Sequence, residues 1–377
     1  MKKKNLLTPG PTPVPSEVLL AMAKPTIHHR TPEFQAIFKE MNEGLKYVFQ
    51  TKNDVFTFAS SGTGAMEAAV ANLLSSGDKA ICVEGGKFGE RWTEICTAYG
   101  VKTVVLKVEW GKAVEPAAIK KALEENKDAK AVFTTLCETS TGVLIDLKAI
   151  SEVVKSTNAV LVTDAISALG GVELKTDDWG IDVVVAGSQK ALMIPPGMAF
   201  CSISEKAYKL VQASKSPRYY FDMRAAKKAL DKNDTAYTPA VTLCIGLNEA
   251  LKMIKQETLE AAIARQSHLA KAIRAAMKGL SLKIFAQDYS DVVTSVCVPE
   301  GIDGAVLVKT MRADYGVSIA GGQAHLKGKI FRIASMGYMN EFDVIVGISC
   351  LELVLAKLGY KFTKGAGVGA AEEVLLK

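Results

Sequence analysis

The sequence predicts an α/β protein: a mostly parallel sheet with helices on both faces, followed by a second, smaller α/β domain. Three observations carry this. Short apolar runs alternate with single helical patterns from Val55 to Ile203, the spacing of parallel strands joined by crossover helices. A chain of 377 residues exceeds the size at which one hydrophobic core usually stops growing. Beyond a long helical stretch, from Thr242 to about Gly279, the strands shorten and the composition changes. The expected division is an N-terminal arm at 1–16, a large domain at 17–255 and a small domain at 256–377.

The arm, TPGPTPVPS, is too rich in proline for a helix and should lie extended across another surface. Ser16 is expected to cap a short helix through Ala23. Thr31 caps a longer one, with Pro32 at its first position and its end near Phe49. His28, His29 and Arg30 precede it, either as loop surface or as the rim of a ligand site; on a strand the two histidines would point apart. Val55–Phe58 reads as a strand that turns at Ala59-Ser60-Ser61-Gly62-Thr63-Gly64 into a helix over 65–74. Strands at 80–83, 103–108, 131–136 and 160–163 then alternate with helices at 88–99, 115–125 and 147–155. Residues 137–142 form a loop.

The run IDVVVAGSQKALMIPPG supplies the next strand, and 198–203 another, before Ser204 starts a helix. Residues 214–239 lack periodicity and carry aromatics with Arg218 and Arg224, the mark of an interface or an active-site cover. The small domain should hold strands at 282–285, 292–298 and 330–333 with helices at 305–312 and 343–356. Its tail, KGAGVGAAEE, reads as loose.

Composition excludes several classes of function. No segment is apolar for long enough to span a bilayer, and Leu6-Leu7 runs straight into Thr8-Pro9-Gly10-Pro11, leaving no secretory core; the expected location is the cytoplasm. The net charge of +6 is spread over mixed Lys and Glu faces and no nucleic-acid motif is present. Seven cysteines stand singly and four histidines are sparse, so no metal site is expected.

Four features point to chemistry. Lys190 stands just past an apolar strand among small residues, where an ammonium loses solvation and a neutral amine can attack a carbonyl. The turn from Ser61 to Gly64 aims free backbone N–H groups and a helix dipole at one spot, a seat for phosphate; it lacks both the GK[ST] of a P-loop and the GxGxxG of a dinucleotide site. Asp164 ends the very apolar run Ala159-Val-Leu-Val-Thr. Arg332 lies inside an apolar strand, where a guanidinium needs an anion, either a structural carboxylate or a bound substrate. Each has a plainer reading: a snorkelling lysine, an ordinary capped helix, an N-cap aspartate, a structural ion pair. Pyridoxal 5′-phosphate accounts for all four together, since it asks for an anion site, a partner for its pyridine nitrogen, an amine for its aldehyde and a binder for an amino-acid carboxylate.

The motifs LLTPGPTPVP, SSGTGAMEAA, GGKFGERW, ETSTGVL, TDAISALGG, GSQKALMIPPG, AYTPAV and GKIFRIASMGY resemble, in this order, those of class V aminotransferases of the alanine/serine–glyoxylate (serine–pyruvate) group. The resemblance covers nearly the whole chain and implies the fold-type I arrangement of pyridoxal-phosphate transferases, with a seven-stranded sheet. It makes Lys190 the Schiff-base lysine and Asp164 the partner of the pyridine nitrogen. Ser61, Gly62 and Thr63 with Gln189 would serve the phosphate, Phe88 would stack on the ring, and Ser140 would lie beside a ring substituent. Tyr237 and Thr238 match a segment that a neighbouring subunit contributes to the phosphate, implying a homodimer with shared sites. Arg332 matches the arginine for the substrate carboxylate. Two departures stand out: Phe88 replaces the tryptophan of some members, and Thr235 stands where some have a tyrosine.

The implied activity is transfer of an amino group from alanine or serine to glyoxylate or pyruvate, with an aspartate-type donor as the alternative. Two other readings compete. A cysteine desulfurase would typically carry histidine before the lysine and a cysteine on a mobile loop; here Gln189 precedes Lys190 and Cys350 falls in a predicted helix. A non-catalytic, hydrogenase-associated subunit of the same fold would have no use for the intact set of Lys190, Asp164 and Arg332.

Overall fold

The computed structural model describes residues 2–377. Its centre is a seven-stranded sheet whose strands, in chain order, are β1 (Asp54–Phe58), β2 (Lys79–Glu84), β3 (Lys102–Lys107), β4 (Ala129–Thr135), β5 (Val160–Asp164), β6 (Val183–Gly187) and β7 (Ala199–Ile203). They are arranged β1-β7-β6-β5-β4-β2-β3. Only β7 runs antiparallel to its neighbours. The sheet is buried on both faces, which is why β6 reads as an unbroken apolar run. Val183 and Val185 pack on one face with Phe56, Trp92 and Phe133, while Val184 and Ala186 pack on the other with Phe34, Leu45 and Phe200.

Local signals explain most helix starts. Thr31 accepts a bond from the Phe34 amide ahead of Pro32–Phe49, and Ser204 does the same from Ala207 ahead of Glu205–Ala213. Ser16 does not cap: Pro15 holds the cap position of Ser16–Met22, and the Ser16 hydroxyl bonds Glu17 instead. The helix after β1 begins at Gly62 rather than Ala65, since Ser61 has already taken the extended cap conformation. The loop 137–142 is pinched by a two-residue hairpin, Cys137–Glu138 against Val143–Leu144. Residues 214–239 contain one helix, Met223–Leu230, capped by Asp222. The His28 and His29 rings stack at 4.9 Å, because the segment is a loop and strand alternation does not apply.

The long helical stretch is two helices, Val241–Glu257 and Leu259–Gly279, interrupted at Thr258 with φ of 71°. A small antiparallel sheet follows: β8 (Val293–Cys297) and β9 (Ala320–Gly321) flank β10 (Ile330–Ala334). Residues 282–285 contribute only the bridge Ile284 to Val296. The apolar groups of this region form their own cluster, yet Val292, Val293 and Ala334 belong to the large core, so the two regions are packed as one. We propose the division 17–255 and 256–377, with Thr258 as its physical break.

The N-terminal arm ties these regions together. Asn5–Leu6 pairs in parallel with Val317–Ser318, the Ala334 amide donates to the Leu7 carbonyl, and Thr12 bonds the Gln189 and Lys190 carbonyls.

The tail is not loose. Ala366–Leu375 is a helix despite its glycines, because Gly367 and Ala371 pack onto Leu280 and the neighbouring cluster. Glu352, nearly buried, accepts from the amides of Gly365, Gly367 and Val368 at 2.8–3.1 Å and so caps it from another helix. Glu352→Ala leaves the buried Gly367 amide and two part-buried amides without this acceptor and should cost about 1–3 kcal/mol in denaturant unfolding. A loss below about 0.5 kcal/mol would show that the tail is not held this way.

Candidate active site

The site lies at the carboxyl ends of the central parallel strands, where open α/β sheets bind ligands. β6 ends at Gly187, and the chain is fixed beyond it: the Ser188 amide donates to the Met198 carbonyl at 3.0 Å and the Ser188 hydroxyl to the Pro195 carbonyl at 2.8 Å. Lys190 therefore projects from a rigid loop. It is 8% exposed, and its ammonium donates to the Pro9 carbonyl of the arm. Gly10 has φ of +114° and a side chain there would overlap the Lys190 amine, so only glycine fits. Burial brings the Lys190 pKa down to about 8; Arg332 pushes the same way, while Asp164 and Cys137 oppose.

Asp164 closes β5, level with Thr135 on β4, and is buried. One carboxylate oxygen accepts from the Ile166 amide at 2.7 Å. Desolvation raises its pKa to about 7 against that bond, Glu138 adds to the rise, and Arg91 and Lys190 hold it down. A cationic partner would keep it ionised.

The turn read as a phosphate seat opens the helix Gly62–Leu73. Ser61 is exposed at the cap, with its hydroxyl uncommitted to the helix. A Cβ on Gly187 would stand 3.0 Å from Gln189 Oε1 and 3.6 Å from Gly62 Cα, so bare glycine brings these groups side by side. Gln189 Oε1 is buried without a partner, and the Thr63 hydroxyl accepts from Arg91 at 3.1 Å. Free helix-terminal amides, a hydroxyl, an amide side chain and a guanidinium suit a phosphate dianion.

Phe88 sits in the first turn of Lys87–Ala98, with the Arg91 guanidinium 4.9 Å over its ring. Ser140 is buried and is engaged by the protein itself: its hydroxyl donates to Glu138 at 2.5 Å and accepts from the Lys87 amide at 3.0 Å. Arg332, on β10 opposite Ser295 and Ala320, donates to the carbonyls of Thr139 at 2.8 Å and Gly321 at 2.7 and 3.0 Å. All these partners are neutral. Burial lowers its pKa to about 10, and Glu138 opposes that shift.

Tyr237 and Thr238 are not bonded to this group. Tyr237 stacks on Tyr220 at 5.4 Å, and the exposed Thr238 lines a hollow with Phe58, Ala59 and Met198. Arg30 anchors this segment through Asp234 at 2.6 Å and the Thr235 carbonyl at 2.7 Å. The Thr235 hydroxyl is spent on the Tyr237 carbonyl.

Two further residues belong to the site, Glu138 and Arg91. Both stood inside the quoted motifs; Arg91 had no periodic or strand-end signal, and Glu138, two positions past the expected strand 131–136, was taken as part of the loop. Among the described residues no group of three or more His, Cys, Asp or Glu could hold a metal, and no helix is long and apolar enough to cross a membrane.

The charges around Lys190 give a directional prediction. In the chain without added cofactor, reductive methylation of Lys190, followed by peptide mass spectrometry, should reach half its maximal rate near pH 8 rather than the usual lysine value of 10.5. The Asp164 carboxylate favours the ammonium, so Asp164→Asn should move that midpoint to lower pH; an upward move contradicts the assignment.

A family model described as aminotransferase class-V matches residues 5–342. The soluble hydrogenase small subunit of Synechococcus sp. (strain PCC 6716) is 45% identical over 99% of this chain and 98% of its own. The L-aspartate–glyoxylate aminotransferase of Paracoccus denitrificans is 36% identical over 98% of this chain and 95% of its own. The crystal structure of ureidoglycine–glyoxylate aminotransferase from Bacillus subtilis superposes with a TM-score of 0.96 at 32% identity, covering 100% of this chain and 99% of that one. The mixed seven-stranded sheet is thus the fold-type I arrangement, and the chain belongs to the class-V aminotransferase family.

Proposed function

We propose that the protein is a pyridoxal-phosphate-dependent transaminase that moves the amino group of a small L-amino acid, alanine or serine, to a 2-oxo acid such as glyoxylate or pyruvate. One observation carries this: a buried lysine with a lowered pKa lies within electrostatic reach of a buried aspartate and of a buried arginine that has only neutral partners. When bound, the cofactor supplies an aldehyde for the amino group and a ring that absorbs the electron pair left on Cα.

The chain's own residues have separate tasks. Lys190 would hold the aldehyde, and its free amine would serve as the base that takes the proton from the donor's Cα. Asp164 would pair with the pyridine nitrogen, Arg332 would bind the donor carboxylate, and Phe88 would stack on the ring. Ser61, Gly62, Thr63 and Gln189 hold the phosphate. Tyr237 and Thr238 would complete the phosphate site of a second copy, which makes a homodimer part of the proposal.

The charges support a donor with a neutral side chain. Lys190, Arg332 and Arg91 are the cations that act on the site, and Arg91 is occupied with Thr63 and Phe88. A neutral donor side chain needs no further cation. The relative that takes L-aspartate favours a dicarboxylate donor as the second reading, and that donor would have to recruit Arg91. The relative named as a hydrogenase subunit favours a non-catalytic role, for which a buried Lys190–Asp164 pair has no evident use.

Purified protein with pyridoxal phosphate should be yellow, L-alanine or L-serine should bleach it, and glyoxylate should restore the colour. Lys190→Ala should lower turnover by about 10³-fold or more. A protein that stays colourless, or that only L-aspartate bleaches, would overturn the reading.

A further inference from the structure

We propose that Glu138 is a positioning residue of the cofactor site: its buried carboxylate sets where the Phe88 ring and the Ser140 hydroxyl stand. This rests on the pyridoxal-phosphate reading above and assigns a role to a residue outside the expected set.

Glu138 is 4% exposed and has four donors on its two oxygens. One oxygen accepts from the amides of Phe88 at 3.1 Å and Gly89 at 2.9 Å; the other accepts from the Ser140 amide at 3.1 Å and the Ser140 hydroxyl at 2.5 Å. The carboxylate therefore spans the two segments that would face the cofactor ring and its substituent. Because the Ser140 proton is committed to Glu138 and one lone pair to the Lys87 amide, Ser140 can offer a ligand only its remaining lone pair.

Helix capping alone does not account for this. The cap position of Lys87–Ala98 is Gly86, which is extended and buried and brings no side-chain cap of its own, where Ser or Asp is the ordinary choice. Instead a side chain on Gly86 would overlap the Glu138 carboxylate, so the glycine leaves room for a carboxylate brought from a different strand.

Burial works against ionisation of Glu138, and its four bonds work for it. Its charge also reaches beyond those bonds. It raises the pKa of Asp164 on β5 and of Cys137 beside it in the chain, and it favours the charged form of Arg332 on β10. Lys190 and Arg91 act on Asp164 in the opposite sense.

Glu138→Gln keeps the shape and removes the charge, whereas Glu138→Asp keeps the charge and shortens the reach. In the holoprotein, Glu138→Gln should move the midpoint of the pH-dependent visible absorbance change down by about half a unit or more, since a nearby negative charge no longer favours bound protons. Glu138→Asp should leave that midpoint in place and weaken pyridoxal phosphate binding by about tenfold, read from the apparent Kd by fluorescence quenching. Ser140→Ala, which threatens folding least, should weaken the Kd without adding to the effect of Glu138→Gln in the double variant. Lower thermal stability with the midpoint and Kd both at wild-type values would reduce Glu138 to a helix cap and overturn the proposal, as would an unchanged Kd in Ser140→Ala. If wild-type protein takes up no pyridoxal phosphate, the functional reading falls and this inference with it; if it does and the variants match it, only the inference falls.

Discussion

The structure depends on keeping one amine out of water. Lys190 loses hydration because the arm lies over it, the β6 loop cannot move away, and Gly10 lets the backbone close in. A desolvated ammonium gives up its proton more readily, and only the neutral amine is a nucleophile. The neighbouring charges oppose one another: Asp164 restores part of the ammonium's stability while Arg332 takes some away. Lys190 is left poised near neutrality, where both protonation states are accessible to acid–base work.

That poise requires parts far apart in the chain. The arm is pinned by parallel pairing at Val317–Ser318 and by the Ala334 amide, two positions beyond Arg332 on β10. The strand that carries the candidate carboxylate-binding arginine and the backbone that covers the lysine are therefore one connected unit. Glu138 makes a second connection, joining the first turn of Lys87–Ala98 to Ser140. Buried polar groups in such numbers are costly unless every one finds a partner, and the partners here are mostly backbone groups of rigid elements.

Much of this was legible in the sequence, for reasons that can be named. Parallel strands buried on both faces read as apolar runs, and a polar residue at the end of such a run stands out; Asp164 and Lys190 were visible on that ground. Thr31 and Pro32 marked a helix start because cap chemistry is local. Glu138 was not legible, since its meaning lies in amides of Phe88 and Gly89 some fifty positions away. Arg91 looked like any charged residue of an amphipathic helix. The tail was misread as loose because glycine lowers helix propensity, while packing on Leu280 and the Glu352 cap override it. Tyr237 and Thr238 carried meaning only through the resemblance: within the chain the Tyr237 hydroxyl donates to the Tyr219 carbonyl and Thr238 is exposed.

The central claim is that the Lys190 amine is where the aldehyde is held. Borohydride reduction of the holoprotein, followed by peptide mapping, tests it most directly. The account predicts a single pyridoxyl label on the peptide containing Lys190; a label on any other lysine, or none, would contradict it.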